Sequence, residues 1–116
     1  MPDPFRDLRD ALRTFAAERD WDQFHSPRNL ATALAVEAAE LLEPFQWLTE
    51  VQGRDLPPAT RAAVEEEMAD VLLYLVRLAD TLDVDLELAA RAKMARNAEK
   101  YPVEKSRGSS RKYDQL

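Results

Sequence analysis

Apolar residues recur along this chain at three- and four-residue intervals. Phe5, Leu8, Leu12 and Phe15 form the first such run, and that spacing puts them on one face of a helix. Asp3-Pro4, just ahead, offers a capping residue followed by proline at the first helical position. The pattern predicts a helix from about 4 to 19. The segment RDWDQFHSPRN breaks the period and reads as a loop. Ser26-Pro27 repeats the cap-and-proline signal and opens a second helix through Leu30, Leu34, Ala38, Leu41 and Phe45. Pro44 has no amide donor and crowds the turn before it, so the regular helix should stop there, with some helical structure resuming around Phe45 to Thr49. Gly53 and Pro57-Pro58 mark the next connection. A third helix is expected from about 59 to 82, and a fourth, capped by Asp83 or Asp85, from about 86 to 100, ended by Pro102. Residues 103–116, VEKSRGSSRKYDQL, are polar and carry no period. They read as a flexible or loosely docked tail after a single domain at 1–102.

The third helix is too apolar for a surface helix with one neighbour. Val64, Met68, Val71, Leu75, Leu78 and Leu82 make one face, and Ala69, Leu72, Leu73 and Val76 lie off it. Apolar residues on both sides imply burial on both sides. In a chain this short the second neighbour is expected to be another copy. The architecture is therefore all-α: a four-helix unit assembling as a homo-oligomeric helical bundle, with a homotetramer (a dimer of dimers) expected and a homodimer as the alternative.

Composition narrows the function. Two glycines in 116 residues exclude a glycine-rich phosphate loop and speak against a turn-rich β fold. With no cysteine there is no disulfide, thiol nucleophile or zinc–thiolate site, which suits a cytoplasmic location. No apolar run approaches the roughly 20 residues of a membrane span, and the N-terminus lacks the apolar stretch of a signal peptide. Sixteen basic against 22 acidic residues leave a net charge of −6, so long nucleic acid is not an expected partner. A small phosphorylated ligand stays open if cations offset the charge.

Acids appear where they are least expected. In AVEAAELLEPFQW, Glu37 and Glu40 stand at i and i+3 within a largely apolar helix, and Glu67 and Asp70 repeat the spacing in the third. At about 100° per residue, each pair borders its helix's apolar stripe on the same rotational side. If the two helices pack antiparallel, four carboxylates can face one another. Such pairs are commonly solvated faces. The other reading is a cradle for a hard divalent cation such as Mg²⁺, which takes carboxylate oxygens, waters and substrate phosphates. A di-iron bundle would need Glu-x-x-His motifs, and the only histidine, His25, falls in the predicted loop.

The pattern Glu37-Ala-Ala-Glu40 and then Glu67-Met-Ala-Asp70, together with RDW, FH-x-PRNL, FQW and KM-x-x-N-x-x-KYP, resembles the MazG-like nucleotide pyrophosphohydrolases, most of all their dCTP pyrophosphatase branch. The likeness spans most of residues 5–102. It implies an all-α, Mg²⁺-dependent enzyme converting a nucleoside triphosphate and water to the monophosphate and pyrophosphate, a house-cleaning role in the nucleotide pool. It implies Glu37, Glu40, Glu67 and Asp70 as metal ligands, with Glu40 the choice for activating water. It implies Trp21 and Trp47 as aromatic walls of the base pocket, Tyr74 and His25 at its border, and Lys93 and Asn97 near the phosphates. The chain departs from the dCTP branch at Leu12, where those relatives carry a histidine. Leucine cannot supply that hydrogen bond, so the resemblance leaves the base open among cytosine, another pyrimidine and a modified or damaged base. The competing expectation is a catalytically inactive helical oligomer that binds nucleotides or a protein partner.

Overall fold

Six α-helices and three 3₁₀ turns make up the structure, a computed structural model that describes residues 3–116, with no strand among them. They are α1 (Arg6–Glu18), α2 (Pro27–Leu42), α3 (Glu50–Arg54), α4 (Pro58–Thr81), α5 (Leu86–Lys100) and α6 (Val103–Ser106). The chain divides into two compact units, the first ending at Val84 and the second running Asp85–Leu116.

In the first unit α4 is the central element, packed by α2 and α1. Two contacts fix the direction of α2 on α4. His25, just before α2, meets Arg77 near the end of α4. Glu37, near the end of α2, meets Glu67 in the middle of α4. The helices therefore run antiparallel, as the four acids require. The buried apolar core is thin: Ala16, Leu30, Val64, Val76 and Ala79. Val76 and Ala79 are buried, whereas Met68 (56% exposed) and Leu75 (37%), which the periodicity places on the main face, are open. The reason is geometric: within this unit α2 and α1 cover the side of α4 that carries Val76 and Ala79, and the side that carries Met68 and Leu75 faces outward.

Local chemistry sets the helix ends. Ser26 Oγ accepts from the Asn29 amide at 3.2 Å, with Pro27 opening the helix, as expected of α2. The start of α1 differs from expectation. Asp3 Oδ1 accepts from the Phe5 amide, so Pro4-Phe5 form a lead-in turn and the helix begins at Arg6. Regular helix ends at Leu42, and Pro44 falls in a 3₁₀ turn at Glu43–Phe45. The helix that resumes is Glu50–Arg54 rather than 45–49, because Thr49 and Gln52 form a reciprocal capping box.

Both α1 and α4 end in a left-handed aspartate, Asp20 (φ 53°) and Asp83 (φ 54°). Glycine usually fills this position, but aspartate tolerates it. At the first of these ends the Trp21 amide donates to the Ala16 carbonyl and the Asp20 amide to that of Ala17. This reversal folds Trp21 back over its own helix, where its indole meets Phe15 edge-on at 5.5 Å.

In the second unit, Asp85 caps α5 by accepting from the Leu88 amide at 3.0 Å, and Tyr101-Pro102 end it. The polar segment beyond contains α6 and a 3₁₀ turn at Tyr113–Gln115. The Tyr113 ring sits edge-on to Tyr101 and 4.9 Å from Lys100 Nζ.

Candidate active site

Glu37 from α2 and Glu67 and Asp70 from α4 each bring a carboxylate oxygen within 4.8 Å of the others. All three side chains are half-buried. One oxygen each of Glu37 and Glu67 is shut off from solvent with no hydrogen-bond partner. Buried polar atoms without partners are rare in folded proteins and need an explanation. Two such oxygens of like charge, side by side, are the donor set a hard divalent cation uses. Glu40 is not one of the three converging oxygens. It lies against Glu37, one turn further along α2.

The electrostatics record the crowding. The Glu67 carboxyl, then burial, pushes the Glu37 carboxyl above the usual glutamate range. Glu40 is raised chiefly by Glu37. Like charges held together resist ionising together, and a bound divalent cation reverses that preference. Glu37, Glu67 and Asp70 thus fit a metal ion, with Glu40 beside them.

Next to the acids lies a cavity of about 360 Å³. Leu8, Ala11, Leu12 and Phe15 of α1 form one wall, Asp70, Leu73, Tyr74 and Arg77 of α4 another, and Trp21 and His25 close one end. It is an apolar chamber with a few polar groups, the usual character of a small-molecule site. Asp70 belongs to both the acid cluster and the cavity wall.

The structure brings Trp21, His25 and Tyr74 together around this cavity, with Leu12 in its wall. Trp47 is not among the lining residues. It stands 86% exposed in the connection between the Glu43–Phe45 turn and α3. Lys93 and Asn97 are exposed and share a face of α5 in the second unit.

One functional residue escaped the sequence reading. Arg77, with a side chain only 11% exposed, donates from Nε to His25 Nδ1 at 3.1 Å and from Nη2 to Asp22 Oδ1 at 2.6 Å. Its Nη1 lies 3.5 Å from Asp80 Oδ2. Asp80 in turn is gripped by Arg13 of α1 at both oxygens. The signal was present: Asp70, Tyr74 and Arg77 continue one helix face at i, i+4 and i+7.

Known proteins resemble the chain over most of its length. A model of the MazG-like family matches residues 32–116. The mouse protein dCTP pyrophosphatase 1 is 52% identical over 99% of this chain and 69% of its own length, and the human dCTP pyrophosphatase 1 is 50% identical over the same shares. A crystal structure of a pyrophosphatase from Archaeoglobus fulgidus superposes with a TM-score of 0.80 at 40% identity, over 84% of this chain and 92% of that one. The antiparallel α2–α4 pair with its facing acids is thus set in a fold and a sequence shared nearly end to end, and the chain belongs to the MazG-like family.

Proposed function

We propose that this protein is a divalent-metal-dependent nucleotide pyrophosphohydrolase that converts a nucleoside triphosphate and water to the monophosphate and pyrophosphate. The observation that carries the reading is the convergence of Glu37, Glu67 and Asp70, with two orphaned oxygens, on the edge of an apolar cavity. The substrate is dCTP or a related or modified pyrimidine nucleotide, as the names of the mouse and human relatives suggest. Mg²⁺ is the ion this all-oxygen donor set suits when phosphates complete the coordination.

In this reading the nucleotide's base enters the chamber beside Trp21, and its phosphates lie at the acids. Glu37, Glu67 and Asp70 would hold Mg²⁺, with Glu40 alongside. The ion would neutralise phosphate charge and polarise a phosphoryl oxygen. Water attacks the α-phosphorus, the bond from that phosphorus to the bridging oxygen breaks, and pyrophosphate leaves. Glu40 takes the water's proton; a carboxylate of raised affinity for protons is the better base for it. Tyr74 faces the nucleotide from the cavity wall. Lys93 and Asn97 supply phosphate contacts, lysine acting as a point charge.

The working form is a homotetramer, a dimer of dimers. Its support is the thin core and the exposed apolar side chains Val36, Trp47, Val51 and Met68, more than a chain working alone usually leaves open. Residues 1–102 form the catalytic portion, and the polar segment 103–116 is not part of the machinery. No helix among the described residues is long and apolar enough to cross a membrane. The proposed setting is the cytoplasmic nucleotide pool.

The test is pyrophosphate release across a nucleotide panel, with Mg²⁺ and with chelator, for the wild type and for Glu40→Gln and Asp70→Asn. Turnover of pyrimidine deoxynucleotides that needs the metal and falls at least a hundredfold in both variants is the expected result. Activity indifferent to chelator, or to both substitutions, would end the metal mechanism.

A further inference from the structure

The contacts of Arg77 with His25 determine more than shape. A guanidinium has only donors. Because Arg77 Nε donates to His25 Nδ1, that nitrogen must carry a lone pair, and the neutral imidazole's one proton sits on Nε2. Burial and then the Arg77 charge hold the His25 pKa below its usual value, which favours the neutral ring. Among the described residues no acceptor takes the Nε2 proton, and this nitrogen is not sealed from solvent. The ring is part of the cavity wall, edge-on to Trp21 at 6.1 Å.

Its mounting is built on both sides. Asn29 Nδ2 donates to the Phe24 carbonyl at 3.0 Å, bracing the turn that presents His25. Asp22, in that same turn, holds Arg77 Nη2, and Asp80 faces Nη1. All three nitrogens of Arg77 are therefore engaged within the protein, and its charge is matched by two carboxylates. Arg77 lines the cavity but has no fork left for a ligand. That separates it from a substrate-binding arginine.

We propose that Arg77 is a positioning residue that locks His25 as an Nε2–H donor, so that the cavity selects nucleotides whose base presents a hydrogen-bond acceptor, a ring nitrogen or carbonyl oxygen, to that proton. The proposal rests on the reading of this chamber as the base pocket. The remaining walls are largely apolar, so a base turning an N–H or amino group toward His25 would set two donors face to face. Leaving a buried donor unmet is more costly than forgoing a bond. One such group therefore discriminates by about 10- to 100-fold between bases that differ at that edge.

His25 is the only histidine in the chain, so ¹⁵N-histidine labelling reports on it alone. In the free wild-type protein near neutral pH, the nitrogen shifts should show a single Nε2–H tautomer. Arg77→Met should give a tautomer mixture, and Arg77→Lys, which keeps the charge but loses the fork, should not restore the lock. Binding of a non-hydrolysable α,β-imido dCTP should shift the Nε2 signal more than the Nδ1 signal. In His25→Phe, which keeps a ring of similar breadth, KM for dCTP should rise about 10- to 100-fold with kcat changed far less, and His25→Gln, which keeps an N–H, should recover part of the loss. 3-Deaza-dCTP and dCTP bracket the ring-nitrogen acceptor; a penalty seen only in proteins retaining His25 assigns it, and equal KM values in wild type assign the carbonyl.

An Nδ1–H or charged ring in an active wild-type enzyme would overturn the lock while leaving the pyrophosphohydrolase standing. A correct tautomer with nucleotide affinity untouched by His25→Phe would overturn the recognition. Turnover of no nucleotide would instead remove the functional reading and the recognition with it. His25→Phe leaves Arg77 intact, so a poorly folding Arg77 variant does not remove the test.

Discussion

Replacing Asp80 by asparagine should loosen the cavity before it touches any catalytic group. Asp80 lies 10% exposed on α4, and its carboxylate accepts from Arg13 Nε at 2.7 Å and from a second nitrogen of the same guanidinium. Arg77 approaches it from the other side at 3.5 Å. Asparagine keeps the shape but removes the charge, and one of its two ends now turns a donor toward donors. Hydrogen bonds to charged groups contribute about 1.5–3 kcal/mol each. The Arg13 side chain is 52% exposed, so solvent replaces much of what it loses. The net cost of Asp80→Asn is then about 2 kcal/mol, or roughly 8 °C in midpoint for a chain near 100 residues. The sign with pH is fixed by the pKa. Arg13 above all holds the Asp80 carboxyl below the ordinary aspartate range. Its contribution is therefore present above about pH 4 and disappears as the pH falls through the lowered value. Urea unfolding of wild type and variant at pH 7 and in acid measures this directly. The gap between them should close in acid, and Asp10→Asn, at an exposed site, should show almost none at either pH. A gap under about 0.5 kcal/mol at neutral pH, or one that does not narrow as the pH falls through the acid range, would refute the assignment of Arg13–Asp80 as the tie between α1 and α4.

Other consequences are as direct. Saturating Mg²⁺, about a hundredfold over its dissociation constant, should raise the melting midpoint by roughly 10 °C, and Glu67→Gln should abolish most of that increment. The same increment should shrink between pH 7.5 and pH 5. The raised affinities of Glu37 and Glu40 for protons mean that protons then compete with the ion. Leu30, 1% exposed and the largest fully buried side chain, should lose about 3 kcal/mol on truncation to alanine in urea unfolding, with the Mg²⁺-dependent increment retained.

Sequence periodicity located the long helices because their ends carry explicit chemistry. Ser26-Pro27 and Asp85 each satisfy a first-turn amide, so α2 and α5 begin where the residues say they should. The misplacements have equally local causes. Asp3 satisfies Phe5 rather than an amide further in, and Thr49 with Gln52 starts α3 beyond the turn that Pro44 allows. The acids were legible because their wheel positions depend only on spacing, which the antiparallel α2–α4 pair then turned into proximity. The place of Arg77 on the row of Asp70 and Tyr74, and of Asp80 three residues on, follows from spacing, but its contacts with His25 and Asp22 do not, because they come from a turn whose approach no spacing encodes. Nor does any period show that Met68 and Leu75 face outward while Val76 and Ala79 are enclosed. That depends on how many neighbours α4 has.

One face of α4 joins the two halves of the site. Glu67, Asp70, Tyr74 and Arg77 follow at steps of three, four and three residues, so they form a single row along the helix. At 1.5 Å per residue, Asp70 and Arg77 stand about 10 Å apart along its axis. The acid end of that row carries the clustered carboxylates, and the Arg77 end carries an imidazole and aromatic walls. A ligand lying along the row would need cation-bound phosphate at one end and a flat, hydrogen-bonding ring at the other, with a short spacer between. A nucleotide has that order of parts. The order also explains the placement of Asp70. As a member of both the acid cluster and the cavity wall, it would, in the proposed binding mode, couple the register of the base to that of the phosphates. A base seated too shallowly against His25 would shift its phosphates past the acids, so poorly fitting bases should lose kcat as well as affinity, whereas a well-fitting base that only lacks the His25 bond should lose mainly affinity.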